Sequence, residues 1–280
     1  MRAVTTAILG NAIVTVAKGV GFMCTGSGSM LSEAVHSIAD TSNQCLLAYG
    51  VTQSQRDADI THPYGYLTEQ YVWSLVSGVG IFFIGGGVSV YHGVTTLMHP
   101  EPLHNLEVAL GILAFAGSVE GYTMQVAYSE MKREADKVNM SIKQYLTSGP
   151  DPVNVAVFLE DAAAVAGVGV ASTCIGLTYF TGNPMYDAIG SISVGCMLGG
   201  VASFIVLKNK SILMGQSIAP ERTEEVIKTL LRDLSVSSIH DVKSVMVGPG
   251  VARFIAELHL DTLTLTLILT LIGGLKPRCI

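Results

Sequence analysis

As far as residue 207, apolar residues run in long stretches broken by short polar intervals. A helix needs about 20 mostly apolar residues to cross a hydrocarbon core of about 30 Å. Six stretches reach that length, roughly 3–24, 29–51, 71–94, 105–128, 154–180 and 184–207. A polar segment, Ser129 to Pro152, divides the fourth from the fifth. After Lys208 the pattern becomes that of a soluble domain. Pro220-Glu-Arg-Thr-Glu-Glu opens a helix with acids at its positive end, predicted to run to about Asp233. Ile239 to Val247 and Val251 to Leu260 are β-rich runs on either side of Gly248-Pro-Gly250, a hairpin signal. Residues 262–280 then alternate leucine with threonine, are low in complexity, and suit a strand better than a span. The expectation is an α-helical membrane protein with six transmembrane helices over 1–207. A small α/β C-terminal domain that looks truncated follows over 208–261, with an atypical tail over 262–280.

Composition and charge agree with a bilayer setting. Only 14% of residues are charged, against about 25% in ordinary soluble domains, too little to wet the surface of a globule this size. The net charge of −6 argues against a basic nucleic-acid binder, so no nucleic-acid contact is expected. Loops 25–28, 95–104 and 181–183 hold no Lys or Arg. The opposite side holds Arg2, Arg56, Lys132, Arg133, Lys137, Lys143 and everything from Lys208 on, which puts both termini on one side. The five cysteines form no CxxC pair, and thus neither a disulfide framework nor a zinc finger.

Ionisable residues inside a span are costly and need a reason. Glu33, His36 and Asp40 lie in the second span, Glu120 in the fourth, and Glu160 with Asp161 in the fifth. His36 and Asp40 are four apart, so imidazole and carboxylate project from one helix face. With Asp161 from a facing helix they make a nitrogen–oxygen set suited to Zn²⁺; the plain alternative is a hydrogen bond that only staples helices. Lys18, inside the first span, is expected to snorkel toward the headgroups, with pairing to a bundle acid as the alternative. Ala163, Gly167 and Ala171, then Ser191, Gly195, Gly199 and Ser203, form small-residue rows that permit close helix packing. Asp187 is expected to favour its own helix N-terminus, and His92, His99 and His104 to be solvated near a loop.

Several stretches together resemble the cation diffusion facilitators, a family of proton-coupled zinc and manganese transporters. They are Gly26-Ser-Gly-Ser-Met-Leu-Ser-Glu-Ala-Val-His-Ser-Ile-Ala-Asp40, His62-Pro-Tyr-Gly65, Leu159-Glu-Asp-Ala-Ala-Ala-Val-Ala-Gly-Val168 and Ile239-His-Asp-Val242. The resemblance implies six spans, a cytosolic-type C-terminal domain that pairs as a homodimer, and a site with two ligands from each of the second and fifth spans. His36, Asp40 and Asp161 match that site. Its fourth position falls on Val157, which cannot coordinate, so water or the neighbouring Glu160 would complete the set. Glu33, which matches the family's second-span acid, and Glu120 are expected on a proton or metal path. His240, Asp241 and His259 resemble positions where some relatives hold regulatory zinc; the plain reading is surface polar residues on strands.

The function implied is divalent cation transport, Zn²⁺ foremost, by proton-coupled antiport with alternating access at the His/Asp site. Ligands must be deprotonated to bind metal, so protons and zinc compete, and His36 with an ordinary pKa of about 6.5 is the natural pH-sensitive member. A mitochondrial membrane is implied by the resemblance, with endoplasmic reticulum or another vesicular membrane as the alternative and a nuclear pool conceivable. No Arg- and Ser-rich transit-type stretch opens the sequence itself. A non-transporting scaffold or coactivator with a vestigial site is the competing reading. An enzyme is not expected, since no HExxH lies in a span and no nucleophile stands beside a base.

Overall fold

The computed structural model describes residues 2–63, 65–100, 103, 105–137, 140–148, 152–218, 220–233, 235–248, 251–260, 263–272 and 276–279. Helices α1 (Arg2–Thr25) and α2 (Gly28–Ser54) meet at the tight turn Gly26-Ser27, where Gly26 takes a positive φ of 67°. The next helical rod is α3 (Glu69–Gly80), a π-helical segment Ile81–Gly87, and α4 (Val88–Met98). Helix α5 (Leu106–Lys137) is followed by the short α6 (Ile142–Ser148), then α7 (Pro152–Thr181) and α8 (Met185–Leu213). The polar segment after residue 128 is thus not a loop. α5 continues through it to Lys137, where Met131 and Ala135 are buried against Tyr145 of α6 and Val155 of α7.

Among the described residues, three helical segments are long and apolar enough to cross a membrane: Glu69–Met98, Val157–Thr181 and Met185–Leu213. α2 and α5 are less apolar because they carry polar residues, and Glu33, His36, Asp40, Asn43 and Glu120 among these are buried. The small-residue rows do what their spacing predicts. A Cβ on Gly195 would lie 2.9 Å from Val90 N and 3.0 Å from the Gly86 carbonyl oxygen, so the π-helical segment and α4 approach α8 backbone to backbone. Met30, Ala109, Leu113, Val168, Ala171 and Ile175 fill the core between α2, α5 and α7.

Beyond α8, α9 (Pro220–Leu230) packs Val226 against Phe254 and Ala256 of a four-stranded antiparallel sheet. Its strands β1 (Val236–Gly248), β2 (Val251–Leu260), β3 (Leu263–Ile272) and β4 (Lys276–Cys279) lie in sequence order. The expected hairpin is β1–β2. The threonine–leucine tail forms β3, which pairs with β2 without a shift from Val251↔Ile272 to Leu260↔Leu263. The β2 edge is therefore covered by the tail.

Candidate metal and proton site within the helical bundle

Helix α2 starts cleanly because Ser27 caps it, its hydroxyl accepting from Met30 N at 3.2 Å. From that start Glu33, His36, Asp40 and Asn43 recur at spacings of three and four and form one buried stripe. His36 Nδ1 lies 3.4 Å from Asp40 Oδ1. Neither ring nitrogen of His36 makes a hydrogen bond among the described residues, and Asp40 Oδ1 is equally unpartnered. Buried polar atoms left this way are rare and point to a missing partner.

α7 supplies the facing acids. Glu160 accepts from Asn43 Nδ2, and Asn43 Oδ1 in turn accepts from Ser77 Oγ. The Glu160 carboxyl also meets that of Asp40, while its Oε1 makes no hydrogen bond. Asp161, the next residue, has Glu120 of α5 as a charged neighbour. The two adjacent acids thus exchange emphasis relative to the sequence reading: Glu160, the substitute ligand, faces Asp40 directly. Val157 is half-buried on α7, one turn before Asp161. Among the described residues no group of three His, Cys, Asp or Glu is drawn close enough to hold a metal ion. Asp161 and Glu160 diverge by about 100° around their helix, so their carboxylates leave α7 in different directions.

Lys18 corrects the snorkelling expectation. It is 0% exposed, with Nζ 2.7 Å from Glu33 Oε2 and 2.6 Å from Glu120 Oε1. Inside α1, against α2 and α5, the ammonium is paired with two carboxylates of the bundle. Glu33 and Glu120, expected on a proton or metal path, are each tied to this one ammonium.

Asp187 departs from expectation as well. It lies in the first turn of α8, yet its carboxylate serves the N-terminus of α2. Oδ1 accepts from Ser27 Oγ at 2.6 Å and Ser29 N at 3.2 Å, and Oδ2 accepts from Gly28 N at 2.5 Å. One turn deeper, Ser32 Oγ meets Ser191 Oγ at 2.5 Å, and Ser191 Oγ donates to the Ser89 carbonyl at 2.9 Å. His92 packs edge-on to Phe22 and is half-buried, His99 is exposed, and His104 lies outside the described residues.

In the sheet, His240 and His259 approach edge to face with ring centroids 5.1 Å apart, both on the exposed side. Asp241 is not with them. It sits at an irregularity in β1 with a φ of 46°, and its carboxylate takes Lys243 Nζ at 2.6 Å.

The cation efflux transmembrane domain matches residues 4–214. The chain is 45% identical over 260 residues to the Homo sapiens protein named proton-coupled zinc antiporter SLC30A9, mitochondrial, covering 93% of this chain and 46% of that protein. It is 42% identical over 260 residues to metal tolerance protein C4 of Arabidopsis thaliana, covering 93% of this chain and 57% of that one. An uncharacterized transporter of Methanocaldococcus jannaschii is 24% identical over 254 residues, 91% of this chain and 83% of its own. The chain thus spans about half the length of the human and plant relatives. The agreement of the efflux-domain match with a helical bundle whose inward stripe is His36, Asp40 and facing acids leads to one conclusion: the chain belongs to the cation efflux family, the cation diffusion facilitators.

Proposed function

We propose that this chain exchanges Zn²⁺ for protons across a membrane, through six spans formed by α1, α2, the α3–α4 rod, α5, α7 and α8. The observation that carries the reading is the set of unpartnered donors where α2 meets α7: both ring nitrogens of His36, Asp40 Oδ1 and Glu160 Oε1. Imidazole nitrogen with carboxylate oxygen is the donor set zinc takes. His36, Asp40, Glu160 and Asp161 are the proposed ligands, and closing the site requires α7 to bring Asp161 or Glu160 onto His36. The same groups must shed protons to bind the ion, so a proton returns to each as zinc leaves. Alternating exposure of the site to either side turns that competition into exchange. The name of the human relative supports zinc as cargo and a mitochondrial membrane as the location. Residues 1–207 are read as the transport domain and 208–261 as a separate α/β domain through which two copies pair. Within the tail, Leu263–Ile272 and Lys276–Cys279 add two strands to the sheet of that domain.

A scaffold with a vestigial site is the second reading, favoured by Val157 and by the absence, among the described residues, of a gathered three-ligand cluster. Zinc uptake by proteoliposomes holding the full chain under a pH gradient decides between them. Antiport predicts uptake with proton counterflow, abolished in His36→Ala and Asp40→Ala proteins that still fold. Full transport by Asp40→Ala refutes the proposed site, and zinc binding without flux supports the scaffold.

A further inference from the structure

The stripe on α2 that carries His36 and Asp40 begins one turn earlier, with Glu33. Were Glu33 free, it would be the next oxygen ligand in the row, with Glu120 opposite it on α5. Neither is free. Lys18 Nζ sits between them, 2.7 Å from Glu33 Oε2 and 2.6 Å from Glu120 Oε1, with all three side chains buried. A single positive centre gripped at short range by two carboxylates stands where a metal ion would otherwise stand. The carboxylate oxygens that Lys18 leaves over, Glu33 Oε1 and Glu120 Oε2, make no hydrogen bond among the described residues. Gly167 gives Glu33 the room to hold this pose, since a Cβ there would collide with Glu33 Oε1. The cluster adjoins the proposed zinc site: the charge of Lys18 acts on His36 and Asp40, and that of Glu120 on Asp40 and Asp161.

Which ion such a bundle accepts depends on which of these donors reach it. Imidazole suits zinc, whereas sets built from carboxylate oxygens suit Mn²⁺, Mg²⁺ and Ca²⁺. We propose that Lys18 is a positioning residue that determines specificity: its ammonium withholds Glu33 and Glu120 from the transported ion, so that the ion meets the nitrogen-bearing set around His36 and not an oxygen-rich one. This rests on the transport site proposed above and assigns to it a selectivity element on α1. A lysine fits the task because its compact ammonium offers three donors and cannot itself bind a cation while charged.

Selectivity is read as the ratio of Zn²⁺ to Mn²⁺ dissociation constants, by titration calorimetry on the detergent-solubilised full chain. Lys18→Met should shift that ratio toward Mn²⁺ by about tenfold or more, the equivalent of one gained contact between charged groups. Lys18→Met/Glu33→Gln keeps the net charge of the wild-type triad while still freeing Glu120, and should show a smaller shift in the same direction. It also serves where the single variant does not fold. A merely structural lysine predicts weaker binding of both ions at a constant ratio. A constant ratio in either folded variant overturns the proposal, as does failure of both variants to fold. Zinc bound but not moved by the wild-type chain in proteoliposomes would count against transport alone. The ratio in Lys18→Met still reports on Lys18 in that case. A wild-type chain that binds no zinc overturns both.

Discussion

Replacing Asp187 with alanine removes, in one step, the acceptor of three buried donors at the head of α2. Ser27 Oγ, Gly28 N and Ser29 N lie 2.6, 2.5 and 3.2 Å from its carboxylate, and Asp187 is 0% exposed. The serine hydroxyl can rotate to another acceptor, but the two amides can only donate. An orphaned buried donor costs about 1–3 kcal/mol, and loss of an anion at a helix N-terminus about 0.3–1 kcal/mol more. The sum for Asp187→Ala is about 3 kcal/mol or more, with two amides as the main contributors. Asp187→Asn keeps one accepting oxygen and should cost about half as much. Reversible unfolding of the full chain in mixed micelles, followed by far-UV circular dichroism, measures both. Ser193→Ala is the control, because Ser193 is exposed and its hydroxyl bonds only to Ile189 O within α8. Asp187→Ala within about 0.5 kcal/mol of wild type, the range of ordinary surface changes, refutes the clasp as a determinant of stability.

A Cβ on Gly195 would meet Val90 Cγ2 at 2.8 Å and backbone atoms of Val90 and Gly86 at 2.9 and 3.0 Å. Gly195→Ala should therefore lose about 1–3 kcal/mol in the same unfolding assay, while Gly200→Ala, with nothing within 4 Å, should lose none. Asn43 holds Glu160 in place, so Asn43→Ala should weaken zinc binding by about 10–100-fold in calorimetry; unchanged affinity removes Glu160 from the ligand set. In the loop after α2, the Thr61 hydroxyl, the Tyr66 hydroxyl and the His62 and Thr61 amides hold the Asp59 carboxyl well below the usual carboxylate range. A depressed carboxyl adds stability above its unfolded value of about 3.9 and loses it as pH falls toward the folded value. Exchange of the Thr61 and His62 amides should thus stay slow down to about pH 4 and rise below it. Asp59→Asn should raise it already at neutral pH.

The elements were legible because hydropathy and turn signals are local. The β1–β2 hairpin around Gly248-Pro-Gly250, the starts of the helices and the strand character of the tail all follow from runs of a few residues. Partnership is not local. Lys18 lies fifteen residues from Glu33 and 102 from Glu120, and no spacing rule selects those acids over the headgroup. Asp187 and Gly28 are 159 residues apart, and no local signal joins an acid on α8 to the amides that open α2. The exchange of Glu160 for Asp161 has a subtler cause. Adjacent residues differ by about 100° of helix phase. Which of them faces α2 depends on the rotation of α7, and that rotation is set by contacts such as Val168, Ala171 and the Glu33 cradle at Gly167.

The charge held in the bundle links these details to the proposed exchange. Glu33, Asp40, Glu120, Glu160 and Asp161 are all buried, and the buried cation among them is Lys18. Separate carboxylates cannot stay ionised together in so dry a place without compensation. One ammonium offsets one of them. A divalent ion offsets two more, and the remaining acids must be protonated or solvated whenever the bundle closes around them. When the ion departs, its charge has to be replaced, and protons are what carboxylates and an imidazole can accept. Proton coupling then needs no dedicated relay, because electroneutrality of a buried acid cluster enforces it. It also bears on Lys18: its loss leaves the cluster one charge more negative with and without the ion, so each state holds one further proton. Lys18→Met should therefore leave the number of protons moved per zinc unchanged, and a changed stoichiometry would show that the cluster is neutralised from outside the bundle.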